Sequence, residues 1–567
     1  MKHLLLLGLT LFSLVGIAAE APPTEATPRA GFHWSEIESL AIQSRGRVKP
    51  LDTYAAEMVQ FVTGTANWKN FRPVEVLFSW LISYDTAWDK TPFLRIDYVA
   101  LKKELKLDPD AKFFSPSEIQ GNADLRRLVQ AATKRQQGKE KLTEMDKKAM
   151  QVQNQIGVVG AIVRGEDLTI LPNPKGINEN WFPIATLTNH ATLVPYPSEQ
   201  MDKVAVGIRS LIEAYAQNDA AKWNQAAIQV NQLLRGDVSN GAYPSVASLN
   251  REISYNHLRP FRWAWALYAL AFVLLLFYNT APNKISRTAS IVALAGAVGI
   301  HSYGFVVRIL ISGRPPVTNM YESIIWVTWG CMIFSLLIWA NYKNAVIPTA
   351  ASVFAVVGLV LADNLPSVLD PNIHPLEPVL RSNFWLTIHV LTITLSYAAF
   401  ALSLCLGNVV LGNYLFTPKN TKRIQNLTLY MYRAVQIGVV LLAAGTILGG
   451  IWADYSWGRF WGWDPKEVWA LIALLLYLAV LHGRFTGWLR GFGFATATVM
   501  CYLGVLMAWY GVNFVLGVGL HSYGFGSGGI SYMATYVSAQ LLFIGAAYYN
   551  YSKHFPKGAP KAAIFPK

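Results

Sequence analysis

From Phe261 onward, long apolar runs alternate with short polar breaks. The runs fall at about 261–278, 288–311, 321–342, 345–362, 384–412, 428–451, 467–487, 491–516 and 532–550. Most hold roughly 20 residues, the length a helix needs to cross the hydrocarbon core of a bilayer. The fold class this predicts is mainly α: a polytopic helical membrane protein with about nine transmembrane helices. Upstream the pattern changes. Lys2 precedes a Leu-rich run and Ala18-Ala19 follows it, so residues 1–19 are expected to be a signal peptide or anchor. Residues 24–257 show helical periodicity at 53–62 and 201–215 and a charged helix through 122–155, which predicts a largely helical, exported soluble domain. Within it, Gly46-Arg-Val-Lys-Pro-Leu-Asp52 reads as a turn leading into a helix. The spans then occupy 261–550, and 551–567 is a basic tail.

Composition agrees with this division. Of the 567 residues, 53% are hydrophobic and only 14% charged, too apolar for an ordinary globular protein. The formal charge of +14 raises the question of nucleic acid. Its placement answers it: Lys284, Arg287, Lys343, Lys419, Lys422, Arg423, Arg484, Arg490, Lys553 and Lys557 all flank apolar runs in alternate connections, a topology signal. By that alternation the connections 312–320, 363–383, 452–466 and 517–531 lie on the outer side, with the tail inside. Cys331, Cys405 and Cys501 sit within apolar runs and form no CxxC or CxxCH motif, so the chain is not itself a c-type cytochrome. They read as small core residues.

One outer connection carries unusual chemistry. Residues 452–469, WADYSWGRFWGWDPKEVW, hold Trp452, Trp457, Trp461, Trp463 and Trp469 with Tyr455 and Phe460, beside Asp464, Lys466 and Glu467. A tryptophan belt is common at membrane surfaces, but it needs neither the interleaved glycines nor the Asp-Pro that opens the next helix. An aromatic platform of this kind suits a large, flat amphiphile, with haem the leading candidate.

The histidines separate by depth. His389 lies six residues after Asn383, about 9 Å down a helix entering from the outer side, and His521 sits in the outer loop GVGLHSYGFGSGG. Two imidazoles at one level can hold haem iron from opposite faces. His482 lies 15 residues beyond Glu467, about 22 Å down its helix and near the inner side. His301 lies 14 residues after Arg287, about 21 Å from the inner end, so its depth does not coincide with that of His482. Arg308, Arg314 and Arg381 lie near the outer face and could meet carboxylates of a ligand. For Arg308 the expectation is snorkelling to water.

The string WGRFWGWDPKEVWAL, with GRPPVTNMYES, LTIHV, LHSYG and His482, resembles the tryptophan-rich WWD signature of the cytochrome c assembly family, over about residues 261–550. Within that family the likeness is to the membrane subunit of the system II cytochrome c synthase. The resemblance implies that His389 and His521 ligate haem at an outer site and that Trp457, Trp461, Trp463, Asp464 and Trp469 bind its face or edge. It implies that His482, and less directly His301, accept haem within the membrane. The expected activity is haem transport to the outer face and covalent attachment to apocytochrome c, as a lyase-type holocytochrome c synthase. Haem b, as Fe(II), would be the substrate. The implied partners are an apocytochrome with a CxxCH motif, a separately encoded second subunit, thiol-reducing proteins and membrane lipid, with no nucleic acid. The implied location is the bacterial inner membrane, with the N-terminal domain and the WWD loop on the periplasmic side. The competing reading is a cytochrome b-like electron-transfer subunit with permanent haem, which predicts two histidine pairs stacked on the same helices.

Overall fold

The structure, a computed structural model, describes residues 29–83, 88–189, 196–236, 241, 243–366, 368–376, 380, 382–521 and 529–555. The expected signal segment 1–19, Arg381 and most of the basic tail lie outside these residues. The chain divides into two compact units, Met1–Ser44 with Val48–Leu249, and Arg45–Arg47 with Asn250–Lys567.

The first unit is helical, as its periodicity predicts. Its longer helices are Leu51–Thr63, Pro73–Ser83, Ala123–Gln137, Glu144–Val163, Ser198–Ala216 and Ala220–Arg235, around a core that includes Trp34, Trp80, Trp88 and Trp223. The charged stretch expected as one helix over 122–155 is two. The second starts afresh where Thr143 and Asp146 form a reciprocal capping box. The turn expected around Gly46 belongs to a hairpin, Ala41–Ser44 with Arg47–Pro50. Arg45 and Gly46 take φ of 50° and 79°, as a tight primed turn requires.

In the second unit, nine helices among the described residues are long and apolar enough to cross a membrane. They are α1 (Pro260–Thr280), α2 (Lys284–Ser312), α3 (Met320–Tyr342), α4 (Val346–Asn364), α5 (Asn383–Phe416), α6 (Thr421–Trp457), α7 (Pro465–Phe485), α8 (Gly491–Leu516) and α9 (Ile530–His554). Side chains set their ends. Asn283, Asn319 and Asp464 each cap a first turn, and Gly313 and Gly458 close α2 and α6 in the left-handed conformation that glycine tolerates. α5 is the most enclosed span, packing against α3, α6, α8 and α9. The outlying α9 is tied to it by amides bonded in both directions, Asn408 Nδ2 to Gln540 Oε1 at 3.2 Å and Gln540 Nε2 to Asn408 Oδ1 at 2.8 Å. Such bonds hold helices together where lipid gives no hydrophobic drive.

Two features differ from the sequence expectation. α6 runs to Trp457, so Trp452 and Trp457 belong to a helix and only 458–464 is loop. Both α5 and α8 contain π-helical turns, at Leu386–Val390 and Met507–Leu516.

Candidate functional site

The π-helical turn of α5 positions His389. An extra residue per turn shifts the side-chain register and is common where function fixes a side chain. Opposite it, α6 presents Gly445 and Gly449. A Cβ on Gly449 would lie 2.6 Å from Cε1 of His389, so only glycine leaves room for the ring. His389 Nδ1 lies 2.8 Å from the carbonyl oxygen of Gly445, an acceptor only, which places the proton on Nδ1 and leaves Nε2 with its lone pair. Trp452 stands beside the ring at 5.7 Å and stacks on Trp385 at 6.4 Å.

His521 is fixed by Asp464, the N-cap of α7. Asp464 Oδ1 accepts from Nδ1 of His521 at 2.8 Å and Oδ2 accepts from the Leu520 amide at 2.6 Å, while Oδ1 also accepts from the Lys466 amide at 3.0 Å. Burial opposes charge on this carboxyl, yet the hydrogen bond from His521 and those from the two amides hold it down at about 2. Gly519 makes the approach possible: its φ is 103°, and a Cβ there would lie 2.4 Å from Asp464 Oδ2. Trp457 meets the His521 ring edge to face at 5.3 Å.

Both histidines line one cavity, whose open space, mouth included, is about 1090 Å³. Its wall includes Thr318, Met320 and Ser323 from the start of α3, Trp452 and Gly449 from α6, Phe460 and Trp461 from the loop, Lys466 and Glu467 from α7, and Trp509 and Asn513 from α8. Among the described residues no hydrogen bond engages Nε2 of either histidine. In each case the acceptor on Nδ1 fixes the tautomer in which Nε2 carries the lone pair. Two imidazoles and an aromatic wall are groups that could hold a metalloporphyrin.

The other expected site residues are dispersed. Trp461 lines the cavity and meets Trp463 at 6.0 Å, but Trp463 is exposed and held at φ 58°, a conformation costly for a bulky residue. Trp469 is half-buried on α7 and is not among the residues that line the cavity. His482 is exposed in the last turn of α7. His301 is fully buried, its Nδ1 3.3 Å from the hydroxyl of Tyr268 and its ring packed by Phe261 and Phe305. The structure does not bring His301 and His482 into one cavity among the described residues.

Arg308 corrects its expectation. It does not snorkel but is buried, donating Nε to Glu322 at 2.9 Å, with Nη2 in ion-pair contact with the same carboxylate at 2.8 Å, and donating Nη1 to Tyr255 and the Pro371 carbonyl. Glu322 also accepts from the amide and hydroxyl of Thr318, which fixes the turn that forms the α3 wall of the cavity. Arg314 extends the same cluster to Thr318 and the His374 carbonyl. Sequence reasoning also missed Lys466, Trp509 and Asn513 as cavity residues. The Gly445-Gly449 spacing on α6, one helical turn, was the available signal for a close approach there.

The cytochrome c assembly protein family matches residues 317–521, which contain both histidines and the aromatic loop. Protein NrfI of Wolinella succinogenes is 28% identical over 504 residues, 85% of this chain and 54% of that protein, so the chain spans about half the length of that relative. The cytochrome c biogenesis protein CcsA of Synechococcus sp. (strain RCC307) is 34% identical over 44% of this chain and 90% of its own. CcsA of Prochlorococcus marinus (strain MIT 9215) is 38% identical over 38% of this chain and 77% of its own. The solved cytochrome c haem lyase CcmF overlaps 52% of this chain and 50% of its own at 16% identity and a TM-score of 0.37, too loosely to place residues. With a relative more than 30% identical covered over nine-tenths of its length, the chain belongs to the cytochrome c assembly family.

Proposed function

We propose that this protein holds haem between His389 and His521 on the outer face of the bacterial inner membrane and presents it for covalent attachment to apocytochrome c. The observation that carries this reading is the pair of imidazoles in one cavity, each with Nδ1 engaged and Nε2 left for iron. Trp461 and Phe460 would face the macrocycle, while Trp457 and Asp464 act through His521.

Attachment is an addition. Each Cys of a CxxCH segment adds its sulfur to one vinyl carbon and its proton to the other, so a C–S bond forms and the C=C bond is lost without net oxidation. Haem b, reduced to Fe(II), supplies the vinyl groups; the protein supplies position and exclusion of water. The incoming histidine of CxxCH would replace one protein imidazole. His482, exposed at the inner end of α7, is the better placed of the two membrane histidines to meet haem arriving from within. His301 is enclosed by rings and offers no such approach. A second subunit and a thiol-reducing protein complete the proposed machinery.

The test is the visible spectrum of the purified protein loaded with reduced haem. A six-coordinate, low-spin spectrum is expected, lost in both His389→Ala and His521→Ala while each variant still inserts in the membrane. An unchanged spectrum in either variant would remove that histidine from the site.

A further inference from the structure

One half-buried cation lies in the cavity wall beside the histidines. Lys466 is the second residue of α7, after Pro465. The positive end of the helix dipole favours acidic residues there and disfavours a lysine. A lysine at a helix end near the membrane surface ordinarily sends its ammonium out to water. Here Nζ turns inward and donates to Asn513 Oδ1 at 3.0 Å, and both residues line the cavity with His389 and His521. Asn513 is itself oriented by a bond from its Nδ2 to the Trp509 carbonyl, so its oxygen is aimed at the ammonium.

The carboxylates on either side of Lys466 in sequence also hold the loop, and Asp464 acts electrostatically on the ammonium as well. Asp464 accepts from His521 and the Leu520 amide, and Glu467 accepts from the amides of Gly462 and Asp464 and lies 3.5 Å from Arg459. A lysine that breaks two local rules, facing an apolar, aromatic space, is a sign of function.

We infer that Lys466, steadied by Asn513, is the counter-charge for a carboxylate on the ligand of this cavity. The inference rests on the haem reading above, for which the carboxylate is a propionate. The flexible lysine exchanges the neutral amide oxygen for a charged one, a charge-assisted hydrogen bond. The propionate edge of the macrocycle is thereby set against α7, and the opposite, vinyl-bearing edge is left for the thiols of the apocytochrome.

The test uses the full chain in detergent, titrated with iron protoporphyrin IX and with its dimethyl ester while visible absorbance is followed. The wild type is expected to prefer the free acid about tenfold to hundredfold. Lys466→Met should lose that preference while keeping its affinity for the ester, which also reports that the variant is folded; Lys466→Arg should keep most of it. If Lys466→Met binds neither porphyrin, Lys466→Gln is read in the same way. Equal binding of acid and ester by the wild type, or a preference that survives in Lys466→Met or Lys466→Gln, overturns the subsite and leaves the histidine site standing. A spectrum that does not depend on His389 and His521 for either porphyrin overturns the haem reading and the subsite with it.

Discussion

Two groups of buried polar residues in the membrane unit make an instructive contrast. The first joins α1, α2 and α3: His301 with Tyr268, and two turns further along α2, Arg308 with Glu322 and Tyr255. The second joins α5, α6, α7 and α8 around His389, His521 and Lys466. In the first, neighbouring side chains fill the space around each polar group. In the second, the groups are held equally firmly, but from behind, and they line a cavity. Burial and intramembrane position mark both as candidates; what separates them is that His389 and His521 line a cavity, whereas His301 is enclosed by rings.

The sharpest way to break the contrast is to remove one histidine from each group. His389→Ala or His521→Ala is expected to abolish covalent haem attachment to a co-expressed apocytochrome, measured by haem stain after denaturing electrophoresis. His301→Phe, which keeps a flat ring beside Phe261 and Phe305, should retain most of the yield. Abolished attachment in a His301→Phe protein of normal abundance would place His301 on the haem route and erase the distinction.

A second variant pair tests how rigid the filled group is. Arg308 and Glu322 are each about 1% exposed, so removing one partner leaves a buried charge without compensation. Glu322→Gln or Arg308→Met should cost about 3–5 kcal/mol of stability, read by thermal unfolding in detergent. Because Glu322 also fixes Thr318 in the cavity wall, haem retention should fall along with stability. The double variant Arg308→Met/Glu322→Leu should recover stability first, which separates a charge effect from a packing effect.

The contrast was only partly legible in the sequence. The spans could be read because lipid demands runs of about 20 apolar residues, a signal that needs no tertiary contact. Helix ends were less visible. α6 was expected over 428–451 but begins at Thr421 after the Asn420 cap and ends at Gly458, since hydropathy marks the part within the lipid and caps mark the rest. Trp452 and Trp457 of the aromatic segment therefore lie on α6 rather than in the loop. His389 and His521 were recognisable by matched depth, but the π-helical turn that aims His389 has no compositional mark. The fate of Arg308 depended on Glu322, 14 residues away across a turn, and a lone arginine near a membrane surface gives no hint of such a partner. Lys466 and Asn513 meet from different helices, 47 residues apart, which periodicity cannot report.

Within the cavity itself, the two histidines differ in what stands behind them: a carbonyl for His389, a carboxylate for His521. Asp464→Asn keeps the size of the side chain and removes the charge. Loss of such an outer-shell partner typically weakens a metal site about tenfold to hundredfold. Haem titration of Asp464→Asn should show a drop of this order with the six-coordinate spectrum retained at saturation. A drop no larger than twofold would mean that the Leu520 and Lys466 amides alone are enough to place the loop.

The smallest effect expected is on pH. The Asp464 carboxyl ordinarily titrates at 3.8 and is held at about 2 in the folded protein, mainly by His521 and the amides against the cost of burial. A depressed carboxyl contributes stability that is complete above its unfolded value and is lost as pH falls through its folded one. The loop at Leu520 and His521 should therefore stay fixed from neutral pH down to about 4 and loosen toward pH 2. Protection of the Leu520 amide against hydrogen exchange, corrected for intrinsic rates, would show this as a plateau followed by a fall. In Asp464→Asn the plateau should be lower and the fall absent. Loss of protection already between pH 7 and pH 5 in the wild type would show that the carboxylate is not what holds the loop, and would place the two histidines on a more equal footing.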